Sequence, residues 1–276
     1  MPNILEKYQR QPKLYIDLPS KGRWYPPNAI AKSEELAVYS MTASDEISTK
    51  TPDALFSGNT TVSIIQNCVP EIKNAWEVPS VDIYAILSAI RMASYGDTMN
   101  IDSACENCSA ENTYAISLQS IIDYFLTQEY IDNCKINDVS FELAPLNYKE
   151  FNDINKINFK LQRQIVQVIP TIESEEDQAK ELQKIYDQLS ELKFKSICTS
   201  VTSVEVLGEE ENESNYNNIL NFLKNSEKEF YNKVESTIIK NNTVWTVPPS
   251  DVVCAACEHK YQIDIEIDYS NFFDQR

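Results

Sequence analysis

The residues best suited to chemistry in this chain are four cysteines in two short pairs, Cys105-Glu-Asn-Cys108 and Cys254-Ala-Ala-Cys257. A two-residue gap lets a tight turn aim both sulfurs at one point. Four thiolates then form the ligand set of a structural zinc ion. Each pair is followed by a run that alternates like a strand, NTYAISL at 112–118 and KYQIDIEI at 260–267. This is the pattern of a zinc ribbon, whose two knuckles sit on two β-hairpins. The separation is far beyond the usual gap of roughly 15–20 residues between knuckles. Loop-closure entropy grows slowly with length, so a folded insertion over 109–253 is tolerated. Two other readings of the same cysteines are thiols that pack without metal and a redox pair. Neither C-x-x-C sits at the strand-to-helix junction that a redox pair favours. A catalytic zinc is not expected, because four cysteines leave no coordination position for water. His259, the only histidine, lies just past Cys257. It replaces one cysteine, stands behind the ligands, or donates a hydrogen bond on the hairpin.

Little else in the chain points to catalysis. A single histidine allows one imidazole acid or base, and the second knuckle already constrains it. Four glycines in 276 residues are too few for a phosphate-cradling loop or a dinucleotide turn. Carboxylates are abundant, with 42 acids against 24 bases, but no pair stands apart from the solvated background. The net charge of -18 speaks against nucleic acid as the main partner. An acidic surface either keeps the chain soluble or steers a basic protein partner. No run of eighteen apolar residues is present to cross a membrane. The N-terminus lacks the apolar core of a signal peptide, so a reducing cytoplasm is expected. There Cys68, Cys134 and Cys198 are read as buried structural thiols. No enzyme is expected, and a structural or assembly protein is.

The elements that must position the knuckles follow from pattern. The Pro-bracketed loop LPSKGRWYPP (18–27) is read as pinned to a core by Trp24 and Tyr25, with an exposed docking tip as the other reading. Leu36 to Met41 reads as a strand, Ser44 with Asp45 and Glu46 as a helix start, and 53–56 as a turn. Helices are predicted over 59–69 and 81–95, the second capped by Ser80, ended by Gly96 and placed at the centre of the core. Its Arg91 is read as meeting a buried carboxylate or carbonyl. Strands are expected at 97–103, 112–118 and 139–146, with a short helix at 120–126. From Tyr148 to about Asn241 helical patterns dominate. They comprise one helix to Ile169, a long one opened by Ser174, and one or two over 214–240. Leu182, Ile185, Leu189 and Leu192 mark its seam, an amphipathic bundle helix rather than a proven coiled coil. NTVWTV (242–247) reads as a strand, and Tyr269, Phe272 and Phe273 as aromatics packing back on the body.

Several of these segments, taken in order, resemble the baseplate hub subunit and hub assembly proteins of T-even-type, contractile-tailed bacteriophages. They are LPSKGRWYPP, MTASDE (41–46), the frame of Pro52, Leu55 and Gly58, the helix end at Cys68-Val69, the Asp82-to-Gly96 helix ending IRMASYG, and CEHKY followed by DYSNFF. The similarity is best over 15–150 and 242–273 and weaker over 150–240. It implies a virion or morphogenesis protein with other baseplate or hub proteins as partners, found in the tail and, during assembly, in the host cytoplasm. The rival class is a zinc-ribbon regulatory module linked to nucleic acid. The expected fold is α+β: an N-terminal body (1–104), a four-cysteine ribbon from 105–118 and 242–276, and a mainly helical insertion (119–241). The expected site is one zinc on Cys105, Cys108, Cys254 and Cys257, with no catalytic residues.

Overall fold

The computed structural model describes residues 9–31, 35–49 and 57–265. The expected turn at 53–56, Pro52 and Leu55 of the resemblance frame, Ile267 and the aromatics Tyr269, Phe272 and Phe273 lie outside the described residues. The fold is mixed α+β, and the chain divides into two compact units, 1–128 with 244–276, and 129–243.

The first unit is organised around one helix. Strands β1 (Leu14–Ile16) and β2 (Leu36–Val38) pair antiparallel, with Leu14 opposite Val38 and Ile16 opposite Leu36. Helix α1 (Ala43–Thr49) starts on a reciprocal cap. Thr42 Oγ1 accepts from Asp45 N–H at 3.2 Å, while the Asp45 carboxylate accepts from Thr42 N–H at 2.8 Å. The cap is therefore Thr42, two residues before the Ser44 that the sequence favoured. Helix α2 (Asn59–Cys68) buries Val62, Ile65 and Cys68, as its spacing requires. Helix α3 (Ser80–Tyr95) buries Val81, Ile83, Ile86, Leu87 and Ile90. Pro79 holds its N-cap position with no side-chain bond, so Ser80 is the first helical residue and not the cap. The helix stops at Gly96, whose φ of 102° is costly for a residue with a Cβ. Arg91 is buried with its guanidinium 5.5 Å from the Tyr95 ring centre.

Strands β3 (Thr98–Ala104) and β4 (Glu111–Ser117) form the first hairpin, and α4 (Leu118–Leu126) follows directly, capped by Ser117. Phe125 of α4 is fully buried, stacked between Tyr84 of α3 and Trp245, each with its ring centre 6.0 Å away. The second hairpin, described below with the cysteines, also belongs to this unit.

The second unit is built on a sheet as well as on helices. Strands β5 (Asn133–Ile136), β6 (Val139–Leu143) and β7 (Val201–Val206) lie in that order, all antiparallel. The β5–β6 turn is Asn137-Asp138, with Asn137 at a φ of 52°. Helix α5 (Tyr148–Arg163) opens on a full capping box between Asn147 and Glu150. It loosens into a π-helical turn at 164–168 before Pro170. Helix α6 (Glu175–Thr199) is capped by Ser174 and returns against it. Leu161, Ile169 and Ile185 form a small core between them, flanked by Leu182 and Leu189. The seam of α6 thus packs as an amphipathic helix against α5. Helices α7 (Tyr216–Asn225) and α8 (Lys228–Val244) complete the unit. Its main core combines Cys134, Phe141, Leu143, Ile197, Cys198, Ile219 and Val234.

Two strand assignments needed correction. NTVWTV is not a strand: α8 runs through Val244, and Trp245 beyond it packs on Phe125. Tertiary packing overrides β propensity there. Conversely, β7 lies inside the stretch read as helical. Its composition, VTSVEV, is rich in β-branched residues and was the signal to follow.

Candidate metal centre

The second hairpin pairs β8 (Ser250–Val253) with β9 (Lys260–Ile263), Val253 opposite Lys260. Each hairpin carries one C-x-x-C at its tip, and the two tips make the same turn. Cys105 N–H donates to Ala110 O at 2.9 Å and Ser109 N–H to Cys105 O at 2.8 Å. Likewise Cys254 N–H donates to His259 O at 2.9 Å and Glu258 N–H to Cys254 O at 3.0 Å. The residue after each second cysteine is left-handed, Ser109 at φ 57° and Glu258 at φ 58°. Neither is glycine, so each turn carries a steric cost of about 1 kcal/mol.

The turns bring the four sulfurs together. Cys105 Sγ lies 3.7 Å from Cys257 Sγ, Cys108 Sγ lies 3.7 Å from Cys254 Sγ, and all four fall within 4.8 Å of one another. A tetrahedral ion with bonds of about 2.3 Å to sulfur sets its ligands about 3.8 Å apart. The four cysteines therefore lie close enough to hold one metal ion, and the sulfur donor set suits a soft or borderline one. Cys105 and Cys254 are buried, while Cys108 is exposed and Cys257 half-buried.

Hydrogen-bond donors surround the sulfurs. Ala256 N–H points to Cys254 Sγ at 3.4 Å, Asn112 Nδ2 to the same sulfur at 3.6 Å, and Asn107 Nδ2 to Cys257 Sγ at 3.7 Å. Burial pushes the Cys254 thiol up, but the Ala256 and Cys257 N–H groups and Asn112 outweigh it and bring it down to about 6. Cys257 is lowered as well, first by the His259 backbone N–H. Cys108 goes the other way, to about 12. Its bond from the Ala110 backbone lowers it, and the crowding of Cys257, Cys254 and Cys105 prevails. The arrangement favours thiolate on the second knuckle, which is the form that binds metal.

Asn112 is the residue that sequence reasoning missed. It sits on β4 four places past Cys108 and is 9% exposed. Its Nδ2 donates to Ala110 O at 2.9 Å, and its Oδ1 accepts from Ala255 N–H at 3.0 Å. One side chain thus joins both knuckles and reaches a sulfur. An asparagine inside a strand run is unfavourable enough to have been a signal. Tyr114 makes a second tie: its hydroxyl donates to Val253 O and meets the Tyr261 hydroxyl, both at 3.1 Å. The His259 ring is not among the gathered ligand groups and stacks on Tyr261, centres 6.1 Å apart.

A second polar centre lies on α3. Asp82 is fully buried and accepts from Ser20 N–H at 2.7 Å, Ser20 Oγ at 2.6 Å and Tyr25 OH at 2.9 Å. Burial raises its carboxyl to about 6, with the Ser20 and Tyr25 donors pulling the other way. Burial, then the Asp82 charge, raises the Tyr25 phenol. This fixes the 18–27 loop to the core through Tyr25, as the first reading held. Trp24 is half-buried, and its ring faces outward enough for Arg23 to stack 4.2 Å over it. With 0% exposure and three donors from the 18–27 loop, Asp82 ties that loop to α3. The MTASDE segment meets the same helix: Met41 N–H donates to Ser94 Oγ at 2.9 Å and Tyr95 OH to Glu46 at 3.3 Å.

Both centres join segments that are remote in sequence. A family model described as T4 bacteriophage base plate protein matches residues 12–274, and the chain belongs to that family. No curated protein and no solved structure matches it. A T4-type phage baseplate protein is a component of the virion tail, and the family speaks for a structural rather than a catalytic role. No helix among the described residues is long and apolar enough to cross a membrane.

Proposed function

We propose that this protein is a component or assembly factor of the baseplate hub, acting by protein–protein interaction, with one zinc ion on Cys105, Cys108, Cys254 and Cys257. The observation that carries the baseplate role is the family match over 12–274. The hub in particular rests on the resemblance of the 18–27 loop, the 41–46 segment and the helix ending at Gly96. Supporting it, all three converge on α3, so the shared segments form one structural neighbourhood. Zinc is supported by the sulfur spacing and by the donors already aimed at Cys254 and Cys257. The ion would lock β3–β4 to β8–β9 within the first unit. In the cell the protein would act in the host cytoplasm during tail assembly.

Two measurements test this. Elemental analysis of protein purified without added metal should find about one zinc per chain. No metal and four freely titrating thiols would remove the zinc. Pull-down with purified tail-hub proteins should recover a complex. Recovery of nucleic acid alone would favour the regulatory zinc-ribbon class, against which the charge of -18 already speaks.

A further inference from the structure

The second unit carries a groove that neither the metal centre nor the α3 neighbourhood uses. It encloses about 680 Å³ between β7 and α7. Its floor is apolar, formed by Val139, Val204, Ile219 and Phe222. Its rim is acidic, formed by Glu209, Glu210, Glu211 and Glu213, and no lysine or arginine among the described residues lines it. Apolar surface continues outward: Val206 is 40% exposed and Leu207 74%. Large side chains left open beside a concave floor are a mark of an interaction surface.

We propose that this groove is the docking site for a basic segment of another protein, one that inserts an aliphatic or aromatic side chain between flanking lysines or arginines. The inference rests on the reading that the protein works by protein–protein interaction, and it names the surface and the partner's chemistry. Charge complementarity selects the occupant. Four carboxylates around an apolar floor attract ammonium and guanidinium groups and repel acidic chains. A second copy of this chain, at -18, is the wrong partner on that ground. One of the charges is held in place: Glu213 accepts from Asn215 N–H and from Asn218 Nδ2, each at 2.7 Å. The outer side of β7 is already bridged at Val204, whose N–H and C=O bond Glu213 at 2.8 and 2.9 Å. A partner strand therefore cannot add to the sheet there, and recognition falls to the anchor side chain and the charges around it.

The test uses the full chain and a labelled peptide of lysines and arginines around one leucine or phenylalanine, followed by fluorescence anisotropy at low and moderate salt. Saturable binding is expected. It should weaken about tenfold or more when Glu209, Glu210 and Glu211 are all changed to Gln, and comparably when the peptide's anchor becomes serine. The three glutamates are exposed loop residues, so an unchanged melting temperature serves as the folding control. Equal binding by the triple variant, or equal binding of an acidic peptide, overturns the proposal. Self-association that the triple variant loses would put a second copy in the groove and also overturn it. Repeating the hub pull-down separates the two readings. A complex kept by the triple variant together with undiminished peptide binding sinks this surface and leaves the hub role standing. Groove-dependent peptide binding without any hub complex sinks the hub role and leaves this surface standing.

Discussion

The four-cysteine centre and the Asp82 centre do the same work by different means. Each fastens parts of the first unit that are far apart in sequence, 146 residues for Cys108 and Cys254 and 62 for Ser20 and Asp82. Asp82, in the first turn of α3, is sealed under the 18–27 loop, and three donors satisfy one carboxylate. Hydrogen bonds suffice there because burial is complete and the helix N-terminus adds a favourable field. The ribbon tips are only half covered. Cys105 and Cys254 are buried but Cys108 is exposed and Cys257 half-buried, β8 and β9 are short, and sulfurs 3.7 Å apart repel one another as thiolates. The ion proposed on the four sulfurs would staple that hairpin pair. The contrast is one of burial: the closed polar centre stands on hydrogen bonds, and the more open one gathers four sulfurs within reach of a single metal ion.

Removing the metal is the strongest way to break that comparison. Chelation, or Cys254→Ser, is expected to lower stability by on the order of 5 kcal/mol. Hydrogen exchange should show β3, β4, β8 and β9 losing protection while α3 keeps its own. An unchanged melting temperature would show that hydrogen bonds hold the ribbon as well. Asp82→Ala should produce the reverse pattern. Three buried donors lose their acceptor, costing about 3 kcal/mol, and the 18–27 loop exchanges faster with the ribbon intact. If chelation and Asp82→Ala loosen the same amides, the two centres are one cooperative unit and the distinction falls.

The same contrast explains what was legible. That the four cysteines gather was readable because two identical C-x-x-C spacings announce one cluster; alternation announced β3, β4 and β9, although β9 ends at Ile263 and β8, after the Pro248-Pro249 turn, was not expected. The buried fates of Cys68, Cys134 and Cys198, at 0%, 6% and 0% exposure, followed from their apolar neighbours. The role of Asp82 was not legible within the predicted 81–95 helix, since nothing local announces that a loop 62 residues earlier will cover it. Asn112 was passed over for the same reason: its partners are Ala110 nearby and Ala255 across the fold. Strand β7 was lost to the surrounding helical pattern although the β-branched VTSVEV carried a local signal, and β5 lay in a stretch given no element although the Asn137-Asp138 turn before β6 announced a hairpin. Trp245 was misread because the residue that shapes its surroundings, Phe125, is remote in sequence.

Asn112→Ala sharpens the comparison at a smaller scale, since that side chain brings hydrogen-bond closure to the metal centre. It should cost about 1–2 kcal/mol by leaving Ala255 N–H without its acceptor. It should also weaken metal affinity about tenfold, as loss of a group behind the ligands does elsewhere. Competition with a chromophoric chelator reads the second effect. Unchanged affinity would confine Asn112 to joining the hairpins.

The smallest expected effect separates the centres by pH. Asp82 titrates at about 6 in the fold against 3.8 for the free side chain, so folding favours its protonated form. The resulting stabilisation is complete below about pH 4 and is lost as pH rises through 6. Between pH 5 and 7.5 the wild type should lose about 1 kcal/mol relative to Asp82→Asn, which has no proton to release there. The ribbon is common to both proteins, so its own response to pH cancels in the difference. Denaturant unfolding at the two pH values measures it. A difference that stays flat would mean that the three donors hold the carboxylate ionised throughout, and that hydrogen bonding outweighs burial at this centre.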